Sequence, residues 1–268
     1  MKSFRERTTA KQWPKKTLLL IVFLAVAPVG AGWAQTPAPE TVLRQSLAAH
    51  AGAQGLPADL TIQGQVTDTS GTRALRMRVK GKDKLRYELG VTSRLTVSIF
   101  NAGAGWTGPE TNLKPVFEHA AVLRRAVEVP FLDVTADVGD SRFRARDLGQ
   151  KRIGTATVHH FALRLIDPIP VERRFLRRPL HQDMEIFIDA STNLIVRTQR
   201  MQAADNSMDF RVPVILDFSD YRQVGALAIP FRIVTTIGNQ YSGIRQSTLV
   251  IQSVLVNQGI ADSVFRPQ

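Results

Sequence analysis

The sequence predicts a mainly β fold of the α+β class: an open antiparallel β-barrel, or strongly curved sheet, of about ten to eleven strands with a lid of short helices. Three observations favour this class. Apolar and polar residues alternate with a period of two over most of residues 60–256. Turn-forming residues separate the alternating runs at short intervals, as hairpins require. Helical spacing occurs only near the start and in the middle of the chain. Two packed subdomains are the alternative architecture.

Residues 1–34 are typical of a secretory signal peptide. A basic segment precedes the uncharged apolar run Thr17–Val29, and small residues then lead to a cleavage site near Ala34. Pro28 interrupts the apolar run well short of the roughly 20 residues that a spanning helix needs, so an uncleaved membrane anchor is the less favoured alternative. We therefore expect residues 35–268 to form a single exported domain.

Composition excludes several kinds of site. The chain has no cysteine, which excludes disulfides, thiolate metal sites, a cysteine nucleophile and an acylated lipobox cysteine. Of the formal net charge of +12, the six basic side chains and one acid of the signal contribute +5, which leaves +7 for the mature chain. On an exported protein this charge suits anionic lipid headgroups or acidic partners better than nucleic acid. We expect no nucleic-acid partner and no cofactor.

The first predicted element is a helix from Glu40 to about Ala51, in which Leu43 and Leu47 lie on one apolar stripe. An antiparallel meander follows, and Asn101–Gly105 is predicted to be a hairpin turn rather than a phosphate-binding loop. The four predicted strands of the meander contain the segments Leu60–Val66, Leu75–Val79, Leu85–Leu89 and Leu95–Ile99.

The middle of the chain has a different pattern. Apolar residues recur at helical spacing from Pro115 to about Val127, and proline suits the first turn of a helix. Pro130–Val134 is a short apolar segment that is predicted to form a second helix. The polar segment 140–152 is predicted to be a loop or an edge strand.

The alternating pattern then returns and continues to the end of the chain. Asp189–Asn193 is predicted to be a tight turn between two strands, and 167–179 a long loop rich in proline and arginine. The predicted strands are Thr155–Ile166, Met184–Asp189, Leu194–Gln202, Val212–Tyr221, Ala228–Ile237 and Ser247–Val256.

The residues that carry chemistry form no recognisable site. None of the five histidines lies in a metal-binding spacing, and the chain has no GxSxG nucleophile elbow. His159 and His160 are neighbours in a predicted strand, so their rings point to opposite faces. We therefore expect no catalytic residue and no metal. An enzyme with a dispersed site around His159 or His181 is the alternative.

A run of basic residues lies in the meander. We favour a solvent-exposed strand face, on which lysine and arginine discourage pairing between sheet edges. The alternative is an electrostatic surface for anionic lipid. The run consists of Arg73, Arg76, Arg78, Lys80, Lys82, Lys84 and Arg86.

One apolar face of a large curved sheet must be covered, and only the two helical regions are available to cover it. The sequence therefore predicts either an apolar hollow that a lipid could occupy or a well-packed core. The predicted cavity residues are Leu75, Met77, Leu95, Val97, Ile99, Trp106, Phe161, Leu163, Ile186, Phe218 and Phe231. The predicted lid residues are Leu43, Leu47, Val116, Ala120, Leu123, Val127 and Phe131.

Several segments also resemble a known family. The stretch Phe218–Ile233 (FSDYRQVGALAIPFRI), with Val254–Asn257 and Phe265–Pro267, is similar to the carboxyl-terminal motifs of the LolA-like superfamily of periplasmic outer-membrane lipoprotein carriers. Lys80–Glu88 and Ile188–Val196 resemble two hairpins of the same family. The resemblance spans most of the mature chain, and its motifs are structural turns.

The resemblance implies an eleven-stranded open barrel whose helical lid covers an apolar cavity for acyl chains. It implies a non-catalytic periplasmic carrier of lipid or lipoprotein, which exchanges cargo with inner- or outer-membrane transfer proteins. We expect a monomer. Two alternatives remain: an envelope sensor or scaffold module that binds a protein partner, and the envelope enzyme described above.

Overall fold

A computed structural model describes most of the chain beyond the predicted signal peptide, which itself lies outside the described residues. Residues 37–268 belong to one compact unit. Among the described residues, no helix combines the length and the apolar character needed to cross a membrane. The described residues are 38–52, 55–81, 83–91, 94–102, 104–116, 128–132, 134, 143–165, 184–204, 207–239 and 243–267.

The predicted first helix is confirmed as α1, Pro39–Ala51. Proline suits the first turn because its missing N–H would have no helical partner there, and the acid Glu40 interacts favourably with the positive end of the helix dipole. The helix ends at Gly52, whose φ of 60° is accessible to glycine without strain. Its buried face consists of Val42, Leu43, Ser46, His50 and Ala51.

Most of the described chain after α1 forms one 13-stranded antiparallel sheet in the order β6-β5-β4-β3-β2-β1-β13-β12-β11-β10-β9-β8-β7. Two short 3₁₀ helices, Glu110–Asn112 and Asp262–Phe265, accompany it. The strands are β1 Asp59–Asp68, β2 Gly71–Lys80, β3 Lys84–Val91, β4 Arg94–Asn101, β5 Ala104–Pro109, β6 Lys114–Pro115, β7 Phe143–Ile153, β8 Ala156–Leu165, β9 Met184–Asp189, β10 Ile195–Ala204, β11 Ser207–Val224, β12 Leu227–Asn239 and β13 Gly243–Val256.

This order places two strands that are consecutive in sequence at opposite edges of the sheet. Strands β1–β6 and β7–β13 are two meanders, which are joined where the first strand pairs with the last. The sheet edges are therefore β6 and β7, which are consecutive in sequence but at opposite ends of the sheet. The segment between them has to connect the two edges. Its described residues Val129, Phe131 and Val134 are buried in the core.

The predicted fold class is confirmed, with differences in detail. The count of about ten to eleven strands is too low, because the short strands β5 and β6 extend the first meander and β7 forms the far edge. Segment 140–152, predicted to be a loop or an edge, overlaps the edge strand β7. The prediction that a helix begins at Pro115 is wrong, because Pro115 lies in β6 opposite Trp106. Residues 117–127 lie outside the described residues.

The two faces of the sheet carry two separate apolar clusters. The inner face, on which α1 packs, carries the main core, which extends from β4 through β1 and β13 to β8. The outer face carries a smaller cluster of Val97, Ile99 and Phe265, with Leu95 and Trp106 among its partly buried members. Phe265 comes from the 3₁₀ helix near the end of the chain, so the carboxyl-terminal tail covers this outer cluster.

Asp59 holds the start of that tail. Its carboxylate accepts hydrogen bonds from the backbone N–H groups of Gln258, Gly259 and Ile260, at 2.8, 2.9 and 3.1 Å. The carbonyl of Asp59 also accepts from the N–H of Asn257. Asn257 and Gly259 have positive φ in this turn, and Asn257 is the last residue of the Val254–Asn257 segment that resembles part of the LolA-like ending.

Candidate functional site

Most of the predicted cavity residues meet on the inner face. The main core contains seven of them, all buried: Leu75, Met77, Phe161, Leu163, Ile186, Phe218 and Phe231. They come from strands in both meanders, so residues far apart in sequence form one continuous apolar surface. Their assembly follows from the antiparallel registers, in which directly opposed residues share a face.

The predicted lid residues that the structure describes pack against this surface. Leu43 of α1 and Phe131 of the 128–134 segment are buried in the main core, and Leu47 and Val116 pack against it while partly buried. Residues 130–132 and 134 are helical, as predicted for the second helix. The remaining predicted lid residues, Ala120, Leu123 and Val127, lie outside the described residues.

Four predicted cavity residues lie on the outer face instead. Ile99 pairs with Arg86 and Val97 with Glu88, whereas the inner-face residue Leu85 pairs with Phe100. Leu95, Val97, Ile99 and Trp106 therefore pack in the outer cluster around Phe265. The prediction that they share a face with Leu75 and Met77 is wrong. The predicted alternation within β4 is present, but Leu95, Val97 and Ile99 belong to a second cluster that the tail covers.

His50 joins α1 to the sheet and to the 128–134 segment. Its side chain is fully buried. Its Nδ1 lies 3.1 Å from the carbonyl oxygen of Ala228, and its Nε2 accepts a hydrogen bond from the N–H of Ile195 at 3.0 Å. Because one nitrogen must donate and the other accept, this geometry requires a neutral imidazole with the proton on Nδ1. The ring stacks on Phe131 and meets Tyr221 at a tilt.

The start of β10 leaves room for this contact. Ile195 pairs with Ile188 of β9, but β11 pairs with β10 only from Arg197 onward, so Ile195 has no partner in β11. The N–H of Ile195 donates a hydrogen bond to His50, and the carbonyl of Ile195 accepts one from the Tyr221 hydroxyl. Sequence reasoning did not assign a role to His50, although it follows Leu43 and Leu47 at helical spacing on the same stripe.

Burial lowers the pKa of His50 from 6.5 to about 4, with a smaller opposing effect of its hydrogen bond to Ala228. In the unfolded chain His50 takes up a proton near pH 6.5, whereas in the folded chain it stays neutral until about pH 4. The stability that the neutral, buried His50 contributes is therefore complete above pH 6.5 and is lost as the pH falls toward 4. We expect a loss of up to about 3 kcal/mol across this window. Urea unfolding at a series of pH values measures it.

His50→Gln is the control for this pH dependence, because glutamine can keep one donor and one acceptor but does not titrate. The variant should be less stable than the natural chain at neutral pH, and the gap should narrow toward pH 4. The acidic groups are the same in both chains, so their titration cancels in the difference between the two free energies of unfolding. A gap that stays constant with pH would show that His50 titrates normally.

The other histidines do not converge on a site among the described residues. His159 stacks on Phe161, while His160 lies on the opposite face, as predicted, where it is buried against Phe187 and contacts Glu185 at 2.8 Å. His181 lies outside the described residues. The part of the chain that the structure describes holds no group of three histidine or acidic side chains that could bind a metal ion.

Carboxylates pair with the described part of the basic run, mostly on the outer face; Arg73 is the exception, because it lies opposite the inner-face residue Val66. Glu88 lies 2.8 Å from Arg78 and 2.6 Å from Arg86, which is itself buried.

Lys80 and Lys84 bind Asp262 of the tail at 2.7 and 2.8 Å, and hydrogen bonds from these two lysines lower the pKa of Asp262 to about 2. Arg73 pairs with Asp68, and Arg76 lies 3.8 Å from Glu88. Lys82 lies outside the described residues. The described part of the run therefore serves the tail and the strands rather than forming a free cationic surface.

Solved structures share this fold at low sequence identity. A LolA superfamily protein from Nitrosomonas europaea superposes with a TM-score of 0.55 at 10% identity, covering 86% of this chain and 98% of that one. A domain from Vibrio parahaemolyticus named for outer membrane lipoprotein sorting gives 0.56 at 11% identity, with 85% and 95% covered. A DUF1329 family protein from Desulfovibrio piger gives 0.53 at 9% identity, with 85% and 95% covered.

No protein-family model matches the sequence. No curated protein matches it either. At identities near 10% a structural likeness establishes the fold alone. The resemblance noted in the sequence is therefore confirmed at that level: the chain has the fold of LolA superfamily proteins.

Proposed function

We propose that this protein is an exported, non-catalytic carrier that shelters lipid or the acyl chains of lipoproteins between the inner face of its sheet and the covering helices. The observation that carries the proposal is the inner face itself. It presents apolar side chains from both meanders as one surface, and the described cover consists of α1 and the short 128–134 segment. The shared fold supports this reading, since one structural neighbour is named for lipoprotein sorting.

The energetics suit a carrier. Removing an acyl chain of about fifteen methylenes from water recovers about 12 kcal/mol at about 0.8 kcal/mol per CH₂. If α1 moves to admit a ligand, it loses its own buried contacts with the sheet, and contacts between the ligand and the sheet must replace them. The contacts of α1 are few: Val42, Leu43 and Ala51 are its buried apolar side chains, and His50 is its polar anchor. Acyl chains can therefore compete for the surface on which α1 rests.

The cellular setting follows from the predicted signal. A chain cleaved near Ala34 would act in the periplasm, where it would meet inner- or outer-membrane transfer proteins and exchange acyl chains with them. We propose that it works as a monomer without a cofactor. Carboxylates pair with the described basic run of the meander, which argues against nucleic acid as its partner.

Tryptophan quenching tests where the ligand binds. The sequence has three tryptophans, and Trp106 lies in the outer cluster. Cleavage near Ala34 would remove Trp13 and Trp33, so in the mature chain Trp106 reports on the outer face. Adding Trp106→Phe and Phe218→Trp to that chain moves the reporter to the inner face. A brominated acyl chain should quench the inner reporter severalfold more strongly than the outer one, as measured by titration with brominated lysophospholipid.

Phe161→Trp offers a second inner reporter if the first substitution disturbs folding. Stronger quenching of Trp106 would place the ligand on the outer face and contradict the proposal. Native mass spectrometry of protein purified gently from its own envelope supplies an independent measurement. A chain that carries no lipid or lipoprotein there, and whose inner reporters are not quenched, is not a carrier.

A further inference from the structure

Two hydroxyl groups are buried in the main core without a hydrogen-bond partner in the described structure. Ser46 on α1 is 1% exposed and Thr198 on β10 is 0% exposed, and neither side-chain oxygen makes a hydrogen bond. A buried hydroxyl without a partner destabilises a fold, because its hydrogen bonds to water are lost and not replaced. An apolar side chain of similar shape would avoid this cost at either position, so both hydroxyls call for an explanation.

Both hydroxyls face the same interior. Thr198 pairs with Ile186 on one side and Leu216 on the other, and both of these residues belong to the main core on the inner face. Ser46 lies on the buried face of α1, one helical turn before His50. The hydrogen bond from Ile195 to His50 fixes α1 against the start of β10, three residues before Thr198. The cover and the sheet therefore each contribute one donor to the apolar interior.

We propose that Ser46 and Thr198 donate hydrogen bonds to the carbonyl oxygen of an acyl ester that is bound beneath α1. This inference rests on the proposed carrier function and names the chemistry that the carrier recognises. An acyl ester combines an apolar chain with one uncharged acceptor, which matches an apolar surface with two neutral donors. A hydrocarbon offers no acceptor, and a carboxylate is costly to bury with neutral donors alone. Phospholipids and lipoprotein anchors share this ester.

The test compares one ester lipid with its ether analogue. Palmitoyl lysophosphatidylcholine carries the carbonyl, and hexadecyl ether lysophosphatidylcholine lacks it. Thr198→Val replaces the hydroxyl by a methyl group of similar size, and Ser46→Ala removes the other hydroxyl. Each variant should bind the ester lipid about three- to tenfold more weakly, with the affinity for the ether unchanged, as measured by calorimetric titration. The melting temperature of each unliganded variant should be unchanged or higher.

Thr248→Val is the matched control, because Thr248 lies on the outer face next to the core residue Leu249 and opposite Val234. It should leave both affinities unchanged. Equal losses for ester and ether, or no loss for the ester, would overturn the hydroxyl site while leaving the carrier intact. A natural chain that binds neither lipid would overturn the carrier function, and the hydroxyl site with it. Titration with a diacylated lipopeptide in parallel shows which source of the ester binds more tightly.

Discussion

Replacing His50 with alanine should lower the free energy of unfolding by about 4 kcal/mol, one of the two largest effects we expect in this protein. The substitution leaves the carbonyl of Ala228 and the N–H of Ile195 buried without their partner. It also removes the ring that packs between Phe131 and Tyr221 and leaves a cavity beneath α1. Urea unfolding monitored by circular dichroism measures the loss, and the melting temperature should fall by about 10 °C.

His159→Ala is the control for this prediction. His159 is only partly buried, and the contact that the structure gives it is a stack on Phe161. Its replacement should cost about 1 kcal/mol or less. Hydrogen exchange distinguishes the two further: the amides of α1 should lose protection in His50→Ala and keep it in His159→Ala. Equal stability losses in the two variants would mean that His50 is an ordinary core residue rather than the anchor of α1.

Asp59→Ala should produce the second large effect, a loss of about 4 kcal/mol with release of the tail from the outer face. Asp59 is 3% exposed, and its carboxylate accepts from three consecutive tail amides. Without it these amides have no acceptor, and Phe265 loses the turn that directs it into the outer cluster. Trp106 belongs to that cluster, so its emission should shift to longer wavelength as the tail separates.

Asp68→Ala is the matched control, since Asp68 ends the same strand but lies at the hairpin, where it accepts from the N–H of Ser70 and pairs with Arg73. We expect its replacement to cost less than about 1 kcal/mol and to leave the emission of Trp106 unchanged. If Asp59→Ala keeps the emission and the stability of the natural chain, the tail is held by its lysine contacts and by Phe265 rather than by the cap.

The strands and α1 were predictable because local patterns specify them. The stripe of α1 and the alternation in β8–β13 are each contained in a continuous segment, and the two end-of-strand turns at 101–105 and 189–193 carry residues that favour turns. The strands β6 and β7 were harder to predict. β6 has only two residues, which is too short to show a pattern. β7 is an edge strand, and its many charged side chains obscure the apolar–polar alternation of period two.

The assignment of faces was not predictable in the same way. Leu95, Val97 and Ile99 alternate as regularly as the residues of β3, and alternation alone does not say which face they occupy. The pairing of Leu85 with Phe100 decides it, and this pairing depends on the length of the β3–β4 turn. A second apolar face became possible because the tail returns from far along the chain to cover it.

By itself the sequence determined the class of fold, the order of most of its elements and the segments that resemble LolA-like proteins, because periodicity and turn residues are local properties. Only the tertiary structure decided which face each strand presents, how His50 anchors α1, how Asp59 caps the tail, and that Ser46 and Thr198 share one interior. These features depend on contacts between residues that are up to about two hundred positions apart. Such contacts leave no periodic signal in a single chain.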